Sequence, residues 1–234
     1  MPAGAGRRRD LWASAEAIVA SVIDDRVTRL REEYETEGLH ESDMAPDPFQ
    51  QFEEWYEAAE EARLHQPNAF VLATSTPDGK PSARAVLMKG FSPDGLVFYS
   101  NRASRKGSEI DANPHVAATF MWLPLHRQVR FEGMVEMVPE QTADIYFASR
   151  PPGAQIAAHA SAQSSVIPDR ETLERRFTEL QGTLTGDVPR PAAWTGWRLA
   201  PSSAEFWQGR KDRLHDRIRY LGHGGSWRLE RLAP

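Results

Sequence analysis

The segment "AFVLATSTPDGKPSARAVLMKGFSPDGLVFYSN", Ala69 to Asn101, contains short apolar runs separated by "PDGK" and "SPDG". Runs of this length and residue type read as strands, and the Pro-Asp-Gly clusters between them read as turns. The segment is an antiparallel meander.

Strands recur downstream, and helices stand on both sides. Downstream, "SRKGSEIDANP" reads as a short helix stopped at Asn113-Pro114, before the strands "HVAATFMW" and "RQVRFEGMVEMV" joined by "LPLH". "PEQTADIYFASRPPG" reads as a helix opening at Pro139 and ending at Pro151-Pro152. "DRETLERRFTEL" is another, with Leu173, Phe177 and Leu180 on one face. The chain ends in four more β segments: "WTGWRLAP", "SAEFWQG", "LHDRIRYL" and "SWRLERLAP". Upstream, "PFQQFEEWYEAAEEARL" spaces Phe49, Phe52, Trp55 and Ala59 as an amphipathic helix, and residues 10–37 read as a further helix. Seven or more strands without βα alternation predict a mainly β, α+β fold: a closed or partly closed antiparallel barrel with helices packed outside. No G-x-G-x-x-G follows a strand and no P-loop is present, which disfavours a Rossmann domain.

The 234 residues carry a formal net charge of −5, which argues against a polyanion such as nucleic acid as the main partner. There is no cysteine, so disulfides and Cys-type metal sites are excluded. No apolar run approaches the ~20 residues that span a bilayer. The start, with Arg7 to Arg9 before "LWASAEAIVASVI", faintly resembles a signal peptide; Glu16, Asp24 and Asp25 favour a helical extension instead. A soluble, cytoplasmic protein is the expectation.

Against that acidic background, "EFWQGRKDRLHDRIRY", Glu205 to Tyr220, holds five arginines or lysines. Strand alternation aims Arg213, His215 and Arg217 to one side, where they repel one another unless an anion or solvent compensates. In "RAVLMK", alternation sets Arg84, Val86 and Met88 on one face and Ala85, Leu87 and Lys89 on the other. One site then takes both cations only at different points or across a bulge. "YSNRASRKG" puts Ser100, Asn101, Ser104, Arg105 and Lys106 where a strand hands over to a helix, a ready anion site, although a solubilising turn reads equally well. Gln128 is an amide in an apolar strand that needs partners. Tyr146 and Arg150 stand one helical turn apart, as a phosphate clamp or as an ordinary exterior pair. Gln163, Ser164 and Ser165 lie in a loop, and Trp207 reads as core or as site. A phosphorylated, flat small molecule is the ligand these positions suggest.

The ordered set "SRKG", "HRQV", "YFASRP", "QSS" and the closing "EFWQGRKDRLHDRIRY" with "LERLAP" resembles the pyridoxine (pyridoxamine) 5′-phosphate oxidase family, from about Leu30 to Pro234. Residues 1–29 are left as an N-terminal extension to one oxidase domain, 30–234. The resemblance implies an FMN-binding split barrel, a homodimer with FMN at the interface, and no metal. It implies an FMN set of Arg84, Leu87, Met88, Lys89, Tyr99, Ser100, Arg105, Lys106, Gln128, Gln163, Ser164, Trp207 and Arg217, with Lys89 shared with the substrate. Lys89, Tyr146 and Arg150 resemble the clamp on the substrate phosphate, and Arg213, Leu214 and His215 the residues over the pyridine ring. Of these, Arg213 and His215 are the implied catalytic pair. Arg31 and Tyr34 resemble a segment that closes over the substrate.

The implied reaction is oxidation of pyridoxine 5′-phosphate or pyridoxamine 5′-phosphate to pyridoxal 5′-phosphate, with O2 as acceptor and H2O2 as product. A sister flavin oxidase of phenazine assembly, or a flavin- or pyridoxal-phosphate-binding protein without turnover, are the alternatives. Three positions depart from the family pattern: Pro152 for an arginine, Ala154 for a serine on the substrate phosphate, and His159 for a tryptophan. The two prolines predict a turn that brings residue 154 back toward that phosphate.

Overall fold

The computed structural model describes Tyr34, residues 36–184 and residues 186–234. Within them the chain runs α1 (Pro48–Glu61), β1 (Ala69–Ser75), β2 (Pro81–Ser92), β3 (Gly95–Asn101), α2 (Arg105–Ala112), β4 (His115–Trp122) and β5 (Arg127–Met137). It continues through α3 (Glu140–Ala148), α4 (Pro152–Ala160), α5 (Arg170–Thr183), β6 (Trp194–Gln208), β7 (Asp216–His223) and β8 (Ser226–Arg231). The strands lie in the order β3-β2-β1-β4-β5-β6-β7-β8, all pairings antiparallel, and β3 also pairs with β6. That last pairing closes six strands into the expected barrel.

The two strands read between Trp194 and Gly209 are one, β6, and its edge is shared. Residues 194–199 pair with β3 and residues 203–208 with β7, while β5 follows the other edge. The changeover surrounds Pro201, which has no N–H to give a ladder. The β5–β6 register shifts at Glu132/Gly133. A Cβ on Gly133 would stand 2.1 Å from the Ala200 carbonyl oxygen, so only glycine lets the strands approach there.

Strand alternation turns Phe70, Leu72, Phe98, Phe120, Phe131 and Phe206 inward, all buried. Helix α1 covers them with the predicted Phe49, Phe52, Trp55 and Ala59. The Asp47 carboxylate accepts from the Phe49 N–H at 2.8 Å and Pro48 takes the first turn, where its missing N–H costs nothing. A second cluster joins Phe147, Ile156, Val188 and Trp194 to the α5 residues Phe177 and Leu180 on the barrel's outside.

Three local expectations change. The helix read through Pro152 stops at Ala148, and Pro152 instead opens α4 as its first residue. The final hairpin strand begins at Asp216, not Leu214, because Asp212 and Arg213 are left-handed, with φ of 57° and 62°. The helix read over 10–37 and the extension 1–29 lie outside the described residues, except that Tyr34, Thr36 and Glu37 are irregular. Tertiary ties replace helical bonds there. Thr36 Oγ1 donates to the Gly209 carbonyl at 2.6 Å, Arg210 Nη1 to the Glu37 carbonyl at 2.6 Å, and the Leu39 N–H to the Asp216 carboxylate at 3.1 Å.

Candidate active site

The handover from β3 to α2 builds a cationic nest. Ser104 caps α2, accepting from the Gly107 N–H at 3.4 Å and donating to the Asn101 carbonyl at 2.6 Å. A Cβ on Gly107 would lie 2.1 Å from the Arg102 oxygen, so the helix can sit this tightly on the loop only with glycine. Lys106 is thereby folded back and buried. Its Nζ donates to Ser100 Oγ at 2.9 Å, Ser104 Oγ at 3.2 Å and Gln163 Oε1 at 2.7 Å. None of these is a carboxylate. Burial, reinforced by the charge of Arg84, holds the Lys106 amine down at a pKa of about 8.

Arg84 and Arg105 share one buried acid, Glu109, which the sequence reading passed over although it stands one helical turn beyond Arg105. Glu109 accepts from Thr74 at 2.5 Å, Ser82 at 2.5 Å, Arg105 at 2.9 Å and Arg84 at 3.3 Å. Burial pushes its carboxyl upward, but the bonds from Ser82, Thr74 and Arg105 outweigh it and bring it to about 2. The two arginines are thus oriented from below by a fixed anion.

Next to this nest opens a cleft of about 710 Å³, lined by Arg84, Leu87, Lys89, Tyr99, Ser100, Arg105, Lys106, Tyr146, Arg150, Gln163 and Ser164. Arg84 and Lys89 both line it, as do consecutive residues of β2 from Ser82 to Leu87, and the β2–β3 register shifts between Met88 and Gly90, where Lys89 stands. One wall is aromatic: Tyr99 stacks on Tyr146 at 4.1 Å and on Trp194 at 5.3 Å. The Arg150 guanidinium lies 5.0 Å from the Trp194 ring and 5.4 Å from Phe147. Among the described residues its Nη1 is buried without a hydrogen-bond partner. Burial also draws the Arg150 pKa down. A buried amine with no counter-anion and a guanidinium nitrogen with no acceptor are what a phosphate-bearing ligand would complete.

The rest of the predicted set stands elsewhere. Met88 is buried in the barrel core. Gln128 pairs with Trp207 across β5 and β6, and Trp207 with Arg217 across β6 and β7. Arg217 is no free cation: it holds Glu205 at 2.8 and 3.2 Å, with Arg130 on the same carboxylate at 2.7 Å. The predicted row of Arg213, His215 and Arg217 on one strand face is therefore wrong, since the first two precede the strand and the third is neutralised.

Arg213, His215 and Trp207 instead gather around Tyr34. The Tyr34 ring lies 5.8 Å from His215, 6.2 Å from Trp207 and 5.9 Å from the Arg213 guanidinium. It also lies 4.4 Å from His126, which the sequence marks as part of a turn and of the "HRQV" motif but not as a site residue. His215 Nδ1 accepts from the Arg210 N–H at 3.1 Å, so the neutral ring carries its proton on Nε2. Burial, then the charge of Arg213, lowers the His215 pKa. Leu214 is exposed beside this cluster. Arg31 lies outside the described residues.

This second cluster is not part of the cleft. Tyr34, Trp207, Arg213, Leu214 and His215 are all absent from the lining of the cleft, although in the closed barrel β2 reaches β6 through β3. The direct β3–β6 seam ends at Leu199, well short of Trp207.

Of the three departures, Pro152 starts α4, and His159 binds the Pro189 carbonyl at 2.7 Å, beside α5 rather than in the cleft. Ala154 does not come back to the cleft by a turn. It shares a helix face with Ala157, Ala158 and Ser161, which do line it, one turn nearer the start of α4.

Comparison with known proteins fits this geometry. Residues 56–184 match the family model described as pyridoxamine 5′-phosphate oxidase, and residues 194–234 that of the pyridoxine 5′-phosphate oxidase C-terminal dimerisation region. The pyridoxine/pyridoxamine 5′-phosphate oxidase of Rubrobacter xylanophilus is 53% identical over 206 residues, 88% of this chain and 95% of that protein. The protein of the same name from Nostoc sp. (strain PCC 7120) is 49% identical over 91% of this chain and all of its own. Among solved structures, PhzG from Burkholderia lata 383, in complex with tetrahydrophenazine-1-carboxylic acid, superposes with a TM-score of 0.80 at 30% identity, covering 85% of this chain and 99% of that one. A pyridoxamine 5′-phosphate oxidase-related, FMN-binding protein from Nostoc punctiforme gives 0.66 at 16% identity, over 82% of this chain and all of that one, a likeness of fold. The chain belongs to the pyridoxine (pyridoxamine) 5′-phosphate oxidase family of flavin-dependent oxidoreductases.

Proposed function

We propose that the protein oxidises pyridoxine 5′-phosphate and pyridoxamine 5′-phosphate at the exocyclic C4′ carbon to give pyridoxal 5′-phosphate. The observation that carries this reading is the cleft with two unanswered cationic positions, Lys106 and Arg150, at different points of its wall. They suit two phosphates: Arg84, Arg105 and Lys106 would hold that of FMN, and Lys89, Tyr146 and Arg150 that of the substrate. When bound, FMN supplies the acceptor for two electrons, which pass to O2 as H2O2. The alcohol substrate loses two electrons and two protons; the amine also takes up water and releases ammonia.

Two copies of the chain would complete the site, the cleft of one meeting the Tyr34–Trp207–His215 cluster of its partner. The dimerisation-region match and the exposed Val71 and Met121 on the sheet between the two halves support that arrangement. In it, Arg213 orients the pyridine ring, and His215 presents Nε2–H as a donor because Nδ1 is already engaged. Gln128, Trp207 and Arg217 would then reach the flavin from the second subunit.

The full Lys89, Tyr146 and Arg150 clamp favours this substrate over that of a phenazine-type oxidase, which would not need it. The test is a peroxide assay with pyridoxine 5′-phosphate. A yellow protein that makes no peroxide with it belongs to the phenazine-type reading, and one that binds the ligand without peroxide is a carrier. Co-expressing Lys106→Ala and His215→Ala chains tests the shared site: hybrid dimers should restore about a quarter of wild-type activity, since half the dimers carry one intact site.

A further inference from the structure

We propose that Gln155 is a positioning residue for Arg150, fixing the end of α3 so that the guanidinium faces a ligand phosphate. The inference rests on the reading of Arg150 as a phosphate-binding group.

Its ground is an unusual helix end. The carbonyls of Phe147 and Ala148 would ordinarily accept from the N–H groups four residues on. Those residues are Pro151 and Pro152, which have none. Gln155, buried in the first turn of α4, supplies a side-chain donor in their place, and the Phe147 carbonyl also accepts from the Arg150 N–H at 3.2 Å. The Gln155 Nε2 lies 3.2 Å from the Phe147 oxygen, 3.0 Å from that of Ala148 and 2.9 Å from that of Arg150 itself. All three are acceptors, so this atom is the amide nitrogen, and its two hydrogens are shared among them.

The Arg150 side chain has no such anchor. Among the described residues its guanidinium makes ring contacts with Trp194 and Phe147 but no hydrogen bond, and Nη1 is left bare. Its direction is therefore set by these ring faces and by its backbone, and its backbone carbonyl is held by Gln155.

The experiment uses FMN-loaded protein carrying Gln155→Met, which keeps length without donors, and Gln155→Glu, which keeps shape but sets an oxygen against three carbonyls. The probes are 4-deoxypyridoxine 5′-phosphate and 4-deoxypyridoxine, which differ only in the phosphate. Both variants should bind the phosphorylated probe about tenfold more weakly and the other within about twofold of wild type. KM should rise while kcat holds. Arg150→Met should lose the same phosphate preference, and adding Gln155→Met to it should cost nothing more.

A lowered Tm with the phosphate preference intact would make Gln155 a structural cap and overturn the proposal. If Arg150→Met loses the preference and the Gln155 variants keep it, only the positioning role falls. If Arg150→Met keeps it, the phosphate reading fails and the positioning role with it. Should the methionine variant not fold, the glutamate variant is judged by the same ratio.

Discussion

The Lys106 Nζ stands 2.7 Å from Gln163 Oε1, although 57 residues separate the two in the chain. The contact brings the loop after α4 over the start of α2 and leaves a buried ammonium satisfied by neutral oxygens alone. Such an arrangement costs desolvation that a bound anion would offset, which is why the pair is the position proposed for the cofactor phosphate.

Removing that amine should show most in cofactor binding. Lys106→Ala deletes a charge-assisted bond worth ~1.5–3 kcal/mol, or roughly 10- to 150-fold in FMN affinity. Arg105 is more exposed and already engaged by Glu109, so Arg105→Ala should lose less. Equilibrium titration of apoprotein checks both, and unchanged affinity in each would move the phosphate elsewhere.

The depressed Lys106 pKa carries a pH signature. Between about 8 and the unfolded value of 10.5 the unfolded chain binds the extra proton, so this group makes apoprotein stability rise with pH there. FMN binding needs the proton, so affinity should fall above pH about 8, by up to about tenfold per pH unit. Lys106→Met should flatten that limb of a pH series of titrations; a limb that survives the substitution belongs to another group.

Glu109 acts in the same sense at the acid end of the scale. Its folded pKa of about 2 lies below the unfolded 4.5, so its contribution is present above pH 4.5 and is lost as pH falls toward 2. Glu109→Gln should lower Tm at pH 7 and shrink the difference from wild type near pH 3. Parallel melting curves with a constant offset at both pH values would contradict this.

Arg213→Ala should leave the bound-flavin spectrum nearly intact and slow flavin reduction by pyridoxine 5′-phosphate, because Arg213 joins the Tyr34 cluster and not the cleft. Stopped-flow absorbance reads the step directly. Reduction at the wild-type rate would take Arg213 out of the site.

Ala154→Ser puts a hydroxyl on the α4 face that reaches the cleft one turn later. If it meets the substrate phosphate it adds ~0.5–1.5 kcal/mol, seen as a KM lower by ~2- to 10-fold with kcat constant. A KM that does not move would leave that phosphate to Lys89, Tyr146 and Arg150.

Much of this molecule could be read along the chain because its causes are local. Alternation in "AFVLATS" and "GLVFYSN", the Pro-Asp-Gly turns and the spacing of Phe49, Phe52 and Trp55 each depend on neighbours a few residues away, and the barrel follows from them. The nest around Lys106 was legible for the same reason, since Ser104, Arg105 and Lys106 lie within one strand-to-helix turn. What could not be read is what depends on contacts distant in sequence. The changeover of β6 from β3 to β7 and the hold of Gln163 on Lys106 depend on such contacts, and the neutralisation of Arg217 by Glu205 depends on the β6–β7 register. The division of one list of site residues into a cleft and a separate aromatic cluster is likewise tertiary. Spacing along a strand sets which way a side chain points, whereas the path of the barrel decides how far apart two such side chains finally stand.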